Sequence, residues 1–162
     1  STIFAHAKGL KMNRNSIYEQ LKIDEGVVYE VYKDHLGYPT FGVGHLILET
    51  DEEYKKSSGW KVSEERVKEC FEHDLDISIS ECEALFKDNW GEYSGELKEV
   101  LVNMMFNLGR TRLSKFKKFI GAINEGDWEK ASIEMMDSRW AVQVGPRANR
   151  LRDRVISLKF RV

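Results

Sequence analysis

Residues 23–46 read IDEGVVYEVYKDHLGYPTFGVGHL, and this stretch decides the fold class. Residues 27–33 alternate and are rich in Val and Tyr, which is typical of a half-buried strand. Residues 38–43 follow a His-Leu-Gly turn and have a second short strand pattern. Together they predict a β-hairpin or a small antiparallel sheet.

The apolar spacing just before this stretch predicts a short amphipathic helix. Asn15 or Ser16 could cap its start, and Gly26 would stop it. Glu25 is therefore predicted to lie in the last turn of a helix. The first third of the chain is expected to mix helix and strand.

Beyond Ser63 the apolar residues follow a three-and-four spacing for more than twenty residues, which predicts one long helix. Further helices are predicted to start at Ser94, Ser114, Asp127 and near Arg147, with Gly109 and Gly126 as stops.

These patterns predict an α+β fold in which a long helix joins a small mixed lobe to an all-helical lobe. The predicted segments are an N-terminal extension (1–16), the small α+β lobe (17–62), the long connecting helix (63–86) and the helical lobe (87–162). An active-site cleft between the lobes is the expected binding site.

The composition is that of an ordinary globular protein, with 162 residues, 41% of them hydrophobic, and only two prolines. No segment approaches the roughly 18 consecutive apolar residues of a membrane span. Residues 1–15 have no apolar run, so they are not expected to be a secretory signal. Cys70 and Cys82 would lie about 18 Å apart along one helix, which predicts free core thiols rather than a disulfide.

The net charge of −2 conceals a basic C-terminal third. Residues 100–162 contain thirteen basic and six acidic side chains, a balance of +7, whereas residues 49–99 have a balance of −9. A solvated set of helix faces would explain this, and so would attraction to a polyanion. Cell wall and nucleic acid are both candidates at this point.

Glu25 and Asp34 are the candidate catalytic carboxylates. Glycoside hydrolysis needs one carboxyl to protonate the leaving oxygen and a second to stabilise positive charge or to activate water. The end of a helix, among apolar neighbours, is an unfavourable place for negative charge, which suits Glu25 as a proton donor. Asp34 lies at a polar turn beside Lys33, where an ionised carboxylate is tolerable. With 27 Asp and Glu in the chain, however, the pair alone does not establish catalysis.

A longer pattern surrounds the pair. Glu25, eight residues, Asp34, five residues, Thr40 and then Gly-Val-Gly-His resemble the catalytic signature of the phage lysozymes of glycoside hydrolase family 24. Further similar blocks follow in the same order: NMMFNLG at 103–109, GDWEKA at 126–131, SRW at 138–140 and RANR at 147–150. The resemblance extends from about residue 17 to about residue 156.

The resemblance implies a muramidase that hydrolyses the β-1,4 bond between N-acetylmuramic acid and N-acetylglucosamine with inversion. It implies that Glu25 is the general acid, that Asp34 is a base or an electrostatic stabiliser, and that Thr40 helps to place the attacking water. The implied substrate-binding residues are Gly44, Leu46, Phe106 and Asn107. The implied supporting residues are Arg147, which would pair with Glu25, and His45, which would pair with Asp74.

No cofactor or metal is expected. His45 has no second candidate ligand nearby in sequence, and the other histidines lack the spacing of a zinc site. The glycines near residue 42 are not followed by the Gly-Lys-Ser/Thr of a phosphate loop, so nucleotide binding is not predicted.

The sequence departs from the family in three places. The segment 47–61 is shorter, Phe119 and Glu134 replace polar residues of the helical lobe, and about fourteen residues precede the matching helix. None of these changes affects Glu25, Asp34 or Thr40.

The leading hypothesis is a monomeric endolysin, made in the host cytoplasm, that reaches the peptidoglycan after holin-type release and lyses the cell. Two other classes remain as alternatives. One is a wall-binding module that has lost turnover, and the other is a nucleic-acid binder that uses the basic C-terminal third. The hypothesis expects peptidoglycan glycan strands, and no nucleic acid, as the partner.

Overall fold

A computed structural model describes residues 11–161, and it divides them into two compact units. Residues 14–77 form what we call the sheet unit, and residues 78–161 together with 11–13 form the helical unit. The elements that begin in the sheet unit are α1 (Arg14–Glu25), β1 (Val28–Lys33), β2 (Pro39–Gly42), β3 (His45–Leu46) and α2 (Glu64–Phe86). Residues 1–10, most of the predicted N-terminal extension, lie outside the described residues.

The sheet is antiparallel, with the strand order β1-β2-β3. Tyr32 pairs with Thr40 between β1 and β2, and Phe41 pairs with His45 between β2 and β3. The predicted hairpin is thus confirmed. The third strand was not predicted, because two residues are too few to produce an alternating pattern.

Helix α1 ends where the sequence predicts, since Gly26 follows it with a φ of +77° that side-chain-bearing residues rarely adopt. The predicted caps are wrong, because Asn15 and Ser16 lie inside the helix. The helix begins at Arg14, whose guanidinium pairs with carboxylates on α2 at 2.6 and 2.9 Å. The helix thus begins two or three residues before the start that the predicted caps imply.

The apolar core of the sheet unit lies between α1, the sheet and α2. Leu21 of α1, Val31 of β1 and Phe41 of β2 are buried, and α2 contributes the residues of its predicted apolar stripe. That stripe includes Val67, Phe71 and Leu75, and Tyr18 packs its ring against Phe71 with 4.6 Å between centroids. The long helix predicted from residue 63 is confirmed, with Ser63 Oγ accepting a hydrogen bond from the backbone N–H of Arg66.

The helical unit contains the C-terminal part of α2 and five further α-helices within the described residues. These are α3 (Gly95–Leu113), α4 (Lys117–Glu125), α5 (Trp128–Met136), α6 (Arg139–Val144) and α7 (Pro146–Ser157). Short 3₁₀ helices lie at Lys87–Glu92 and Leu158–Phe160. Its apolar core includes Leu101, Met104, Leu113, Met135 and Val155, and it also buries Glu99, Asn103 and Arg147.

Most of the predicted helix signals in this unit act as expected. Ser94 and Asp127 cap α3 and α5 by accepting hydrogen bonds from backbone N–H groups. Gly109 interrupts α3, and Gly126 ends α4 in a left-handed conformation. The predicted start at Ser114 is wrong. Its N–H donates to the carbonyl of Arg110, so Ser114 closes α3, and α4 begins three residues later.

The α+β fold class is confirmed, with a three-stranded antiparallel sheet in one unit and helices throughout the other. Cys70 and Cys82 are both buried and free, as predicted. Among the described residues, no helix is long and apolar enough to cross a membrane. The lobe boundaries at residues 62 and 86, and the cleft between lobes, stay predictions.

Candidate active site

Glu25 is the last residue of α1, and its carboxylate reaches the turn between β2 and β3. A Cβ atom built on Gly44 would lie 3.9 Å from Oε2 of Glu25. Gly44 is exposed and has a φ of +64°. The backbone of this turn therefore passes close to the carboxylate, while the missing side chain leaves space beside it.

Asp34 follows β1 and has a fixed side-chain orientation. Its Oδ1 accepts hydrogen bonds from the backbone N–H groups of Leu36 and Tyr38, both at 2.9 Å. Its own N–H donates to the carbonyl of Tyr38, and its carbonyl accepts from the N–H of Gly37. The predicted His-Leu-Gly turn thus folds around the carboxylate and holds it at the end of the hairpin.

Thr40 is buried in β2, and its Oγ1 donates a hydrogen bond to the carbonyl of Tyr38 at 2.9 Å. Since the hydroxyl hydrogen is used in this bond, the oxygen remains available as an acceptor. Asp34 and Thr40 are therefore positioned by the same residue, Tyr38.

Tyr32 reports the electrostatics of this region. Burial raises the pKa of its phenol, and the negative charges of Asp34 and Glu25 raise it further. Tyr32 pairs with Thr40 in the sheet. The phenol thus lies within the field of both candidate carboxylates, although the sequence does not indicate a role for it.

His45 is buried and lies between two carboxylates. Its Nδ1 is 2.7 Å from Oδ2 of Asp74, the pairing that the resemblance implies, and its Nε2 is 2.8 Å from Oδ2 of Asp51. Burial lowers the pKa of the imidazole, but the two carboxylates outweigh burial and raise it overall. Burial raises the pKa of the Asp51 carboxyl. The hydrogen bonds from Leu48 N–H and with His45, and the charge of Arg66, outweigh burial and lower this pKa overall. Asp51 was not predicted, because its loop gives no periodic signal.

A second ionic group, which we call the Arg66 cluster, lies beside this pair. Arg66 forms a two-pronged ion pair with buried Glu53, with Nε and Nη2 each 2.9 Å from a carboxylate oxygen. It also contacts Asp51 at 3.4 Å and Glu69 at 2.9 Å. Hydrogen bonding to Glu53 raises the pKa of the guanidinium. No motif in the sequence indicates this cluster.

The remaining predicted site residues divide between the two units. Leu46 of β3 is half exposed in the sheet unit. In the helical unit, Phe106 is half-buried on α3, and Asn107 accepts a hydrogen bond from the indole N–H of Trp140 at 2.9 Å. Arg147 is buried and donates to the side chain of Asn103 at 2.9 Å and to its carbonyl at 3.1 Å. Its pairing with Glu25 stays a prediction.

The sheet unit thus places a carboxylate at a helix end, a second carboxylate at a turn, and a buried hydroxyl on the strand that leaves this turn. An acid, a second carboxylate and a group able to accept a hydrogen bond from water are what the hydrolysis of a glycosidic bond requires. The chemistry predicted from the sequence is therefore available at this site.

Comparison with known proteins agrees with this chemistry. Residues 22–155 match the family model of phage lysozyme, and the chain belongs to the phage lysozyme family. It is 33% identical over 158 residues to the Probable T4-type lysozyme 2 of Dictyostelium discoideum, covering 85% of this chain and 91% of that protein. Probable T4-type lysozyme 1 of the same organism is 31% identical over 157 residues, covering 85% of this chain and 91% of that protein.

A third relative is the Pre-baseplate central spike protein Gp5 of Enterobacteria phage T4, 30% identical over 153 residues. The match covers 84% of this chain but only 27% of that longer protein. The family places this chain among the glycoside hydrolases, as a lysozyme. The roles of the individual site residues stay predictions.

Proposed function

We propose that this lysozyme is a muramidase that cuts the β-1,4 bond between N-acetylmuramic acid and N-acetylglucosamine in peptidoglycan. The observation that carries the proposal is the arrangement of Glu25, Asp34 and Thr40 within the sheet unit. Glu25 lies beside exposed Gly44, while Asp34 and Thr40 are both fixed through Tyr38. A glycosidic oxygen of a glycan strand bound beside Gly44 would then lie within reach of the Glu25 carboxyl.

In this mechanism Glu25 donates its proton to the leaving oxygen as the bond to the anomeric carbon breaks. Asp34 faces the positive charge that develops on the sugar, or takes the proton of the attacking water. Thr40 Oγ1 accepts a hydrogen bond from that water, because its own hydrogen is used by the carbonyl of Tyr38. Attack by water without a covalent intermediate inverts the anomeric centre, so we propose an inverting reaction.

The test of the acid is Glu25→Gln, which keeps the shape of the side chain and removes the proton. We expect turbidity clearing of permeabilised Gram-negative cells to fall by about 100- to 10,000-fold, the usual contribution of general acid–base catalysis. The matched control is Glu19→Gln, on the same helix, where the side chain is 61% exposed. Full activity of folded Glu25→Gln would overturn the assignment.

Product analysis tests the bond and the stereochemistry together. Digested peptidoglycan should yield new N-acetylmuramic acid reducing ends, and the first product formed should have the inverted anomeric configuration. Retention of configuration would instead require a covalent intermediate on the second carboxylate.

We further propose that the protein acts as a monomeric endolysin, made in the host cytoplasm and released to the wall through a holin-type route. Its family supports this role. The basic C-terminal third favours attraction to the anionic wall. Several of its cations already bind carboxylates in the helical unit, among them Arg154 with Glu96 and Glu99. Because the chain belongs to the phage lysozyme family, we propose peptidoglycan rather than nucleic acid as the partner. Two results together would contradict the endolysin proposal: tight DNA binding that falls steeply with salt, and no lysis of cells that express both this protein and a holin.

A further inference from the structure

Three side chains of metal-binding type meet beside β3. His45, Asp51 and Cys70, which we call the His-Asp-Cys cluster, each offer one donor atom, and these atoms all lie within 4.8 Å of one another. His45 and Cys70 are both 5% exposed, and all three residues belong to the sheet unit. Spacing along the chain does not bring His45 and Cys70 together, but the fold does.

The donor set matches the preference of zinc. An imidazole nitrogen, a thiolate and a carboxylate oxygen are its usual protein ligands, at about 2.0 to 2.3 Å in tetrahedral geometry. Donors around one tetrahedral ion with these bond lengths are about 3.3 to 3.8 Å apart, so atoms within 4.8 Å of one another need change their separation by at most about 1.5 Å. Side-chain rotation can supply a movement of this size.

The surroundings orient two of the ligands. Asp74 binds Nδ1 of His45 at 2.7 Å, so the other nitrogen, Nε2, faces the cluster. A histidine that binds metal nearly always gives its second nitrogen to such a partner. Asp51 is held by the backbone N–H of Leu48 at 2.8 Å. The outer partners of a metal site are therefore already present.

The charges also balance. A thiolate and the carboxylate of Asp51 neutralise a divalent ion, while the positive charge of nearby Arg66 is compensated by Glu53 and Glu69. Without metal, Nε2 of His45 and Oδ2 of Asp51 share one hydrogen-bonding proton over a distance of 2.8 Å. Metal would replace that proton and the thiol proton of Cys70, and both protons would leave to solvent.

We propose that His45, Asp51 and Cys70 bind one Zn²⁺ ion, with water as the fourth ligand. The ion would join strand β3, the loop that follows it, and helix α2. This site does not include the catalytic trio and does not depend on the proposed reaction. Zn²⁺ bound there would stabilise the folded sheet unit by the free energy of its binding.

The experiment is a calorimetric titration of the purified full chain with Zn²⁺ alone, together with a spectroscopic titration with Co²⁺. We expect one ion per chain, tetrahedral cobalt bands and a near-ultraviolet thiolate-to-cobalt band. Cys70→Val should weaken binding by at least about 100-fold and abolish the thiolate band. Cys82→Val is the matched control, since Cys82 is also buried on the same helix but lies outside the cluster. It should bind as the wild type does.

Two further variants keep the test decisive if Cys70→Val does not fold. Asp51→Asn preserves the shape of the side chain and removes the charge of one ligand. Asp74→Asn should weaken Zn²⁺ binding about 10- to 100-fold, because Asp74 orients His45. Circular dichroism establishes that each variant is folded. The proposal is overturned if wild type binds no Zn²⁺ below millimolar concentration, or if folded Cys70→Val or Asp51→Asn binds Zn²⁺ as tightly as wild type.

Discussion

The sheet unit and the helical unit both bury charged side chains, but they arrange them differently. The sheet unit has a three-stranded sheet with short strands, and it encloses His45 and Glu53 together with their charged partners. The helical unit has Leu101 and Met104 fully buried, and it also encloses Arg147 and Glu99. In the sheet unit Arg66 contacts both Glu53 and Asp51, and Asp51 binds His45, so its buried charges form one connected group.

Among the changes that test this contrast, removal of Arg66, the central cation of the sheet unit, should have the largest effect on stability. Arg66→Met leaves the buried carboxylate of Glu53 without its two-pronged partner. Breaking a buried ion pair from one side costs about 3 to 5 kcal/mol, so we expect a loss near 4 kcal/mol in urea unfolding. Hydrogen exchange should accelerate more in β1–β3 than in α3–α7.

The matched control for that variant is Arg14→Met. Arg14 also binds two carboxylates, Glu72 and Asp76, but all three side chains are more than a third exposed. Exposed ion pairs contribute at most about 1 kcal/mol. Equal losses for the two variants would show that burial does not determine how much these ion pairs contribute to stability.

A cavity in the helical unit should cost slightly less. Leu101 is fully buried on α3, and Leu101→Ala removes apolar contacts without exposing a charge. We expect a loss of about 3 kcal/mol that changes little between low and high salt. The control is Val142→Ala, where the side chain is 82% exposed and the expected loss is within about 0.5 kcal/mol. A strong salt dependence of the Leu101→Ala loss would contradict apolar packing as its cause.

The smallest effect is expected from alkaline titration of the helical unit. Burial raises the pKa of Tyr93 to about 12, and its hydroxyl donates a hydrogen bond to Asn124. Below pH 10 or so the phenol is neutral in folded and unfolded chains alike. From there to about pH 12 only the unfolded chain ionises, so the free energy of unfolding should fall by up to about 2 kcal/mol as pH rises.

Tyr93→Phe isolates this contribution. The variant should show a shallower loss of stability across the same pH window, even if its stability at neutral pH is lower. Tyr38→Phe, at a position that is 55% exposed, should leave the slope unchanged. An identical slope in wild type and Tyr93→Phe would refute the role of this phenol.

Much of the fold could be predicted because it depends on local signals. The three-and-four apolar spacing of α2, the left-handed glycine after α1 and the cap at Ser94 each act within a few residues. Strand β3 and helix α6 could not be predicted, because both are too short to produce a periodic pattern.

The candidate site was predictable in the block from Glu25 to Thr40 and in the pairing of His45 with Asp74. Glu25, Asp34 and Thr40 lie within sixteen residues and occur in a recognisable block. Asp51, Arg66 and Cys70 reach their partners through the fold, and nothing in their spacing relates them to His45. Tertiary contacts of this kind leave no periodic trace in a single sequence.

Helix α2 limits where segments of two members of this family can be joined in a chimaera. The boundary between the units falls after Ile77, inside the helix. A chimaera of two relatives that is joined at this boundary would take fourteen residues of α2 from one relative and nine from the other. Helical pieces shorter than about 12 to 15 residues are marginal without a matching partner surface. We therefore expect viable chimaeras between relatives to inherit α2 whole, with junctions in the loop before Glu64.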